Sequence, residues 1–193
     1  MILYLFIITL SAAGITLANW LTKTPATAWG LLPTVLIVLG AVVAVILLDG
    51  LGAFLIRHLP ERFFTAERRC FAVTKGECRL WRALGVRLWC HKIPELGGFS
   101  GFHKDHVREP RNSAYLARFL LESNYGVAIH LTNALTGFLL LLCFPTVTLP
   151  VAIVNLVLSL MPFGALRANT PGLQALYKRV LAREARAKQK IPT

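Results

Sequence analysis

The sequence predicts an all-α membrane protein: four transmembrane helices with a basic cytoplasmic, interfacial layer of amphipathic helices. Three observations predict it. Hydrophobic residues make up 55% of the 193 residues and charged residues only 16%, with a mean hydropathy of +0.60, whereas soluble domains carry roughly a quarter charged residues. The apolar residues gather in long blocks, as spanning helices require. The net charge of +12 is concentrated in particular connecting segments, as the positive-inside rule demands. With the apolar blocks set aside, about half the chain remains, enough for a small interfacial layer and not for a large separate core.

Residues 2–19 form the first apolar run, which lacks the basic start of a secretory signal and is expected to be kept as a span, with Trp20 at its interfacial end. The linker to Trp29 holds Lys23. A second run, Leu31 to Ile56, is long enough to cross with some tilt. Asp49 interrupts it near the exit at Arg57 and His58. That carboxylate can either reach the headgroup layer or serve a function.

From Arg57 to Arg118 the chain is basic. Glu77 to His91 reads as one short amphipathic helix, with Cys78, Trp81, Leu84 and Leu88 on one face and Arg79 and Arg82 elsewhere. It suits the headgroup plane or a place packed on the rest of the layer. A turn-rich loop follows. Gly97, Gly98 and Gly101 permit close backbone approach, Phe99 and Phe102 can enter the interface, and His103, Lys104 and His106 stand ready for a phosphate or sugar.

Ser113 to Phe144 reads as one continuous helix, polar in its first half and apolar in its second. Phe144 to Pro150 reads as a short turn, and Val151 to Leu166, carrying Asn155, as the fourth span. Thr170 and Pro171 have the form of an N-cap and first helical position, opening a last basic amphipathic helix suited to an anionic leaflet surface. The expected organisation is therefore residues 1–56 as two spans, 57–112 as the interfacial region, 113–170 as two spans bearing the candidate site, and 171–193 as the basic C-terminal helix. Lys23 is alone on one side of the bilayer and nearly all other Lys and Arg lie on the opposite side. The chain is thus expected in the cell (inner) membrane as a multi-pass protein with both termini cytoplasmic.

The basic charge has no helix-turn-helix, zinc-finger or RNP pattern beside it, so no nucleic-acid partner is expected. The cysteines, Cys70, Cys78, Cys90 and Cys143, have no CxxC spacing, and no metal site is expected. The GxSxG, HExxH and kinase patterns are missing, as is the HxxxxD pattern of glycerolipid acyltransferases. His130 sits deep in its span. Where water is scarce an imidazole is neutral, and a neutral histidine can take a proton from a hydroxyl. It can equally be a buried histidine bonded to Asn133 or Asn155. Glu122 can pair with Arg118 one turn earlier. It lies eight residues from His130, roughly 12 Å along a straight helix, so the two are suited to different parts of one substrate.

Trp89, then KIPELGGFSGFHKDHV (Lys92 to Val107), then YLARFLLESNYGVAIH (Tyr115 to His130), then an asparagine-bearing last span resemble the glycosyl-4,4'-diaponeurosporenoate acyltransferases of carotenoid biosynthesis. Trp89, Lys92, Pro94, Glu95, Gly97, Phe102 and Lys104 fit the first part of the family pattern; Tyr115, Leu116, Phe119, Glu122 and His130 fit its helix. The arginine and second glutamate of that helix are Tyr125 and Val127 here, and the closing motif is represented by Arg167 and Asn169. The resemblance implies transfer of a fatty acyl group to a hydroxyl of a membrane glycolipid or glycosylated isoprenoid, without a cofactor and with acyl-CoA as donor. It implies His130 and Glu122 as catalytic residues, and Trp89, Lys92, Gly97, Lys104, His106, Asn155, Arg167 and Asn169 as substrate-binding ones. Expected partners are membrane lipid, the acyl donor and a possible membrane protein. The rival expectation is a non-catalytic accessory subunit, or a lipid- or pigment-binding partner of a larger membrane enzyme. Haem ligation would need a second histidine within a span, and His130 is alone there.

Overall fold

A computed structural model describes residues 2–66, 68–93, 102 and 106–189. Among them the chain is helical, without a strand. The principal helices are α1 (Ile2–Leu21), α2 (Leu31–Arg57), α3 (Lys75–Ala83), α4 (Val86–Trp89), α5 (Ser113–Thr136) and α6 (Pro145–Gln189), with short 3-10 turns between them. The four helical segments Tyr4–Leu21, Leu31–Arg57, Ser113–Leu142 and Pro145–Ala187 are long and apolar enough to cross a membrane. The chain divides into two compact units, one of Met1–His58 and Ile129–Leu160, the other of Leu59–Ala128 and Met161–Thr193.

The first unit is built around small apolar residues. α2 turns Thr34, Val38, Ala41 and Val45 inward at three- and four-residue steps, the spacing of one helix face. Val38, Ala41 and Val45 join Ala12, Ile15, Ala26, Val147 and Val151 in one buried cluster. Most of the large apolar side chains of α1 and α2, including Leu10, Leu17, Leu36, Leu47 and Phe54, point outward instead. Exposed apolar surface on this scale calls for lipid. Pro150 lies in the first turns of α6 and has no N–H, so the Thr146 carbonyl is left without its helical donor. Asn19 of α1 supplies one at 3.3 Å.

The second unit is held by polar clamps over an aromatic core. Asn124 donates to the Phe64 carbonyl at 2.8 Å, and the Tyr125 hydroxyl to the Leu59 carbonyl at 2.9 Å. The rings of Phe64 and Tyr125 stack at 4.0 Å. Ser113, opening α5, gives both its N–H and its hydroxyl to the Glu184 carboxylate. Thr74 caps α3 by accepting from the Glu77 N–H, the capping-box arrangement.

Three expectations about the helices are corrected. The Glu77 to His91 stretch is not one helix: Gly85, at φ +60°, a conformation glycine adopts without strain, separates α3 from α4. Trp81 packs inward against Gly164 and Phe163, whereas Leu84 and Leu88 are exposed, so the expected single apolar face is divided. The turn before the last span is confined to Cys143 and Phe144, the latter at φ +45°, because Pro145 already opens α6 as a first helical residue can. Thr170 is not an N-cap. α6 runs unbroken for 45 residues, and the Thr170 hydroxyl donates back to the Leu166 carbonyl at 2.9 Å. Pro171 therefore sits inside a helix, losing one backbone bond rather than starting a new one.

Candidate functional site

In the second unit, Glu122 is fully buried on α5. Its Oε1 lies 2.7 Å from the Arg118 guanidinium one turn earlier, and Arg118 donates also to Glu61 at 2.9 Å. The result is a carboxylate–guanidinium–carboxylate line from the core of the unit to its surface, where Arg118 and Glu61 are 48% and 63% exposed. The next residues on α5 are the clamps Asn124 and Tyr125. Phe102 lies 5.5 Å from the Tyr115 ring and 5.6 Å from Phe119, so it packs on α5 rather than standing apart.

Arg167 is buried and makes four side-chain hydrogen bonds. Its Nε and one terminal nitrogen meet the two Glu77 carboxylate oxygens at 2.6 Å each, a bidentate fork. The remaining donors reach the Phe71 and Ala72 carbonyls at 2.9 and 3.1 Å. Trp81 Nε1 donates to Glu77 as well, at 3.1 Å. Burial pushes the Glu77 carboxyl up, but hydrogen bonds from Arg167, Trp81 and the Thr74 backbone, with the Arg167 charge, outweigh it and hold it below the usual carboxylate range. This geometry makes Arg167 a clamp between α6 and α3. Trp89 is half-buried and donates to the Leu84 carbonyl at 3.0 Å. Lys92, His106 and Asn169 are exposed. Gly97 and Lys104 lie outside the described residues, as do Pro94, Glu95, Gly98, Phe99, Gly101 and His103.

In the first unit, His130 is half-buried on α5, one turn before Asn133. Asn155 of α6 donates through Nδ2 to the Asn133 carbonyl at 2.7 Å and to Asp49 Oδ1 at 3.4 Å. Thr136 donates to the same Asp49 oxygen at 2.6 Å. Here the helices come close. A Cβ added at Gly137 would stand 3.2 Å from the Ala152 Cα, the small-residue contact through which spanning helices pack. Asp49 thus belongs to an interhelical polar cluster. Its signal was present in the sequence, since an ionisable residue within a span is a functional candidate by default. The alternative of reaching headgroups is one that periodicity leaves open. Glu61, Glu184 and Thr136 carried no comparable signal.

The sequence model of the glycosyl-4,4'-diaponeurosporenoate acyltransferase family matches residues 60–179. That segment takes in the Glu122 line, His130, Asn155, Arg167 and Asn169, and begins after Asp49. No curated protein and no solved structure matches the chain.

Proposed function

Because the chain belongs to the glycosyl-4,4'-diaponeurosporenoate acyltransferase family, we propose that it is an integral membrane O-acyltransferase acting on a hydroxyl of a glycosylated isoprenoid or related glycolipid. The observation that carries this reading is the family match across all of α5, the helix that bears His130 within an apolar span. His130 takes the proton of the acceptor hydroxyl as its oxygen attacks a thioester carbonyl. Collapse of the tetrahedral intermediate breaks the carbon–sulfur bond, and the proton passes to the departing thiolate, leaving an ester and a thiol. An acyl-CoA donor suits the basic residues between Arg57 and Arg118, which offer counter-charge to its phosphates. Glu122, through Arg118, ties α5 to Glu61 of that basic layer. Arg167 and Asn155, whose donors are engaged, act by positioning α6. The uneven Lys and Arg distribution supports an inner-membrane orientation with both termini cytoplasmic.

The test is transfer by the purified protein in proteoliposomes supplied with acyl-CoA and a glycosylated isoprenoid. His130→Ala should lower the rate by about 10²–10⁴-fold, the range of general-base contributions, with acceptor binding retained. A normal rate in that variant overturns the assignment of the base. No turnover by the wild type alone, with a second membrane protein co-purifying at fixed stoichiometry, overturns the enzymatic reading in favour of an accessory subunit.

A further inference from the structure

Four polar residues of the first unit meet within its spans: Asp49, Asn133, Thr136 and Asn155. The Thr136 and Asn155 donors are used within the cluster. Thr136 and Asn155 both donate to Asp49 Oδ1, at 2.6 and 3.4 Å, and Asn155 also serves the Asn133 carbonyl. Two acceptors are left over. Asp49 Oδ2 accepts nothing from the described residues, and Asn133 Oδ1 is buried without a hydrogen-bond partner. Asp49 stands eight residues before the end of α2, roughly 12 Å along the helix axis. At that depth bulk water does not satisfy such groups.

A Cβ at Gly52 would lie 3.5 Å from Asn133 Oδ1 and 3.4 Å from Thr132 Cγ2, both ordinary contact distances. The glycine therefore leaves the unpartnered oxygen uncovered on that side. What fits there must bring donors. Two neighbouring hydroxyls bring one donor each.

We propose that Asp49 and Asn133 form a binding site for a hydroxyl-bearing lipid headgroup, with Asp49 Oδ2 and Asn133 Oδ1 accepting from two of its hydroxyls. The site deepens the acyltransferase reading, on which it rests for the sugar nature of the headgroup. It draws Asp49 from outside the family-matched segment.

The experiment uses the full chain in nanodiscs containing monoglucosyl diacylglycerol or its peracetylated form, whose hydroxyl hydrogens are gone. Native mass spectrometry reads how much of each lipid is retained. The wild type should favour the hydroxylated lipid by about 10-fold or more, the worth of one charge-assisted hydrogen bond. Asp49→Asn keeps an oxygen for Thr136 and Asn155, and Gly52→Ala sets a methyl against the Asn133 oxygen without a clash. Both should bring the preference close to unity at an unchanged unfolding temperature. A wild type without preference overturns the proposal. So do variants that keep the preference, and variants that unfold earlier while keeping it, which would mark the cluster as an interhelical clamp only. Turnover by His130→Ala is scored separately, so a failure of the acyl-transfer reading leaves the binding result standing.

Discussion

Replacing Arg167 by alanine withdraws four hydrogen bonds at once: two to the Glu77 carboxylate and two to the main-chain carbonyls of Phe71 and Ala72. Truncating one partner of a buried ion pair costs about 3–5 kcal/mol, because the other charge stays behind uncompensated. The Arg167 and Glu77 side chains are 9% and 19% exposed, so some water reaches the stranded carboxylate, and the lower end of that range, about 3 kcal/mol, is expected. The assay is reversible unfolding in mixed detergent micelles, followed by circular dichroism. Arg167→Ala, Glu77→Ala and the double variant make a cycle whose coupling should reach about 2 kcal/mol, as for residues sharing one network. Acid adds a second readout. Glu77 has a lowered folded pKa, so its contribution is complete above the unfolded carboxylate value, about 4.3, and is lost as pH falls through the lower folded value. The wild type should therefore lose stability over that acid window, and Arg167→Ala should lose much less there. A single variant within about 0.5 kcal/mol of wild type, the range of ordinary surface substitutions, or a coupling near zero, would refute the clamp. Lost turnover at unchanged stability would instead give Arg167 a direct part in catalysis.

Gly137→Ala should destabilise by about 1–3 kcal/mol, the usual cost of overpacking, because its Cβ meets the Ala152 backbone at 3.2 Å and Asn155 Nδ2 at 3.3 Å. Gly164→Ala should cost about 1–2 kcal/mol in the same titration, since its Cβ falls 3.0 Å from the Trp81 ring, whose N–H is fixed on Glu77. Gly40→Ala is the control: nothing lies within 4 Å of the added carbon, and a helical alanine should be neutral or stabilising by about 0.5–1 kcal/mol. Cys70 and Cys143 are both exposed, and the proposed orientation puts them on opposite faces of the membrane. A membrane-impermeant maleimide added to cells with an opened outer barrier should label a variant retaining only Cys143 and spare one retaining only Cys70. Equal or reversed labelling contradicts the orientation.

The spans were legible because their signal is additive: a run of apolar residues needs no partner to be recognised. Helix ends were less so. Thr170 and Pro171 carry the local chemistry of a start, yet the helix continues through them, because local chemistry does not register the contacts that offset an interior proline. Trp81 shows the same limit. Its spacing put it on one face with Leu84 and Leu88, but the backbone break at Gly85 sends it to Gly164 while the leucines face out. Among the candidate residues, Glu122 and His130 were visible as ionisable residues where apolar ones are the rule. Asp49 was visible too, but its partners Thr136 and Asn155 lie 87 and 106 positions away, and no local pattern encodes a meeting across that distance. Arg167 was named for its motif position; what it holds depends on Glu77, 90 residues before it.

Asn19 bears on how the chain is assembled. Its side chain donates to the Ile15 carbonyl at 2.9 Å and accepts from the Thr24 hydroxyl at 2.6 Å, so its orientation is set by residues within five positions of it. That orientation exists as soon as α1 and its following turn have formed, long before Thr146 leaves the ribosome. The carbonyl that Pro150 deprives of a donor then meets one already aimed at it. A defect built into the last span is thus answered by the first, whose donor is in place before the proline is made.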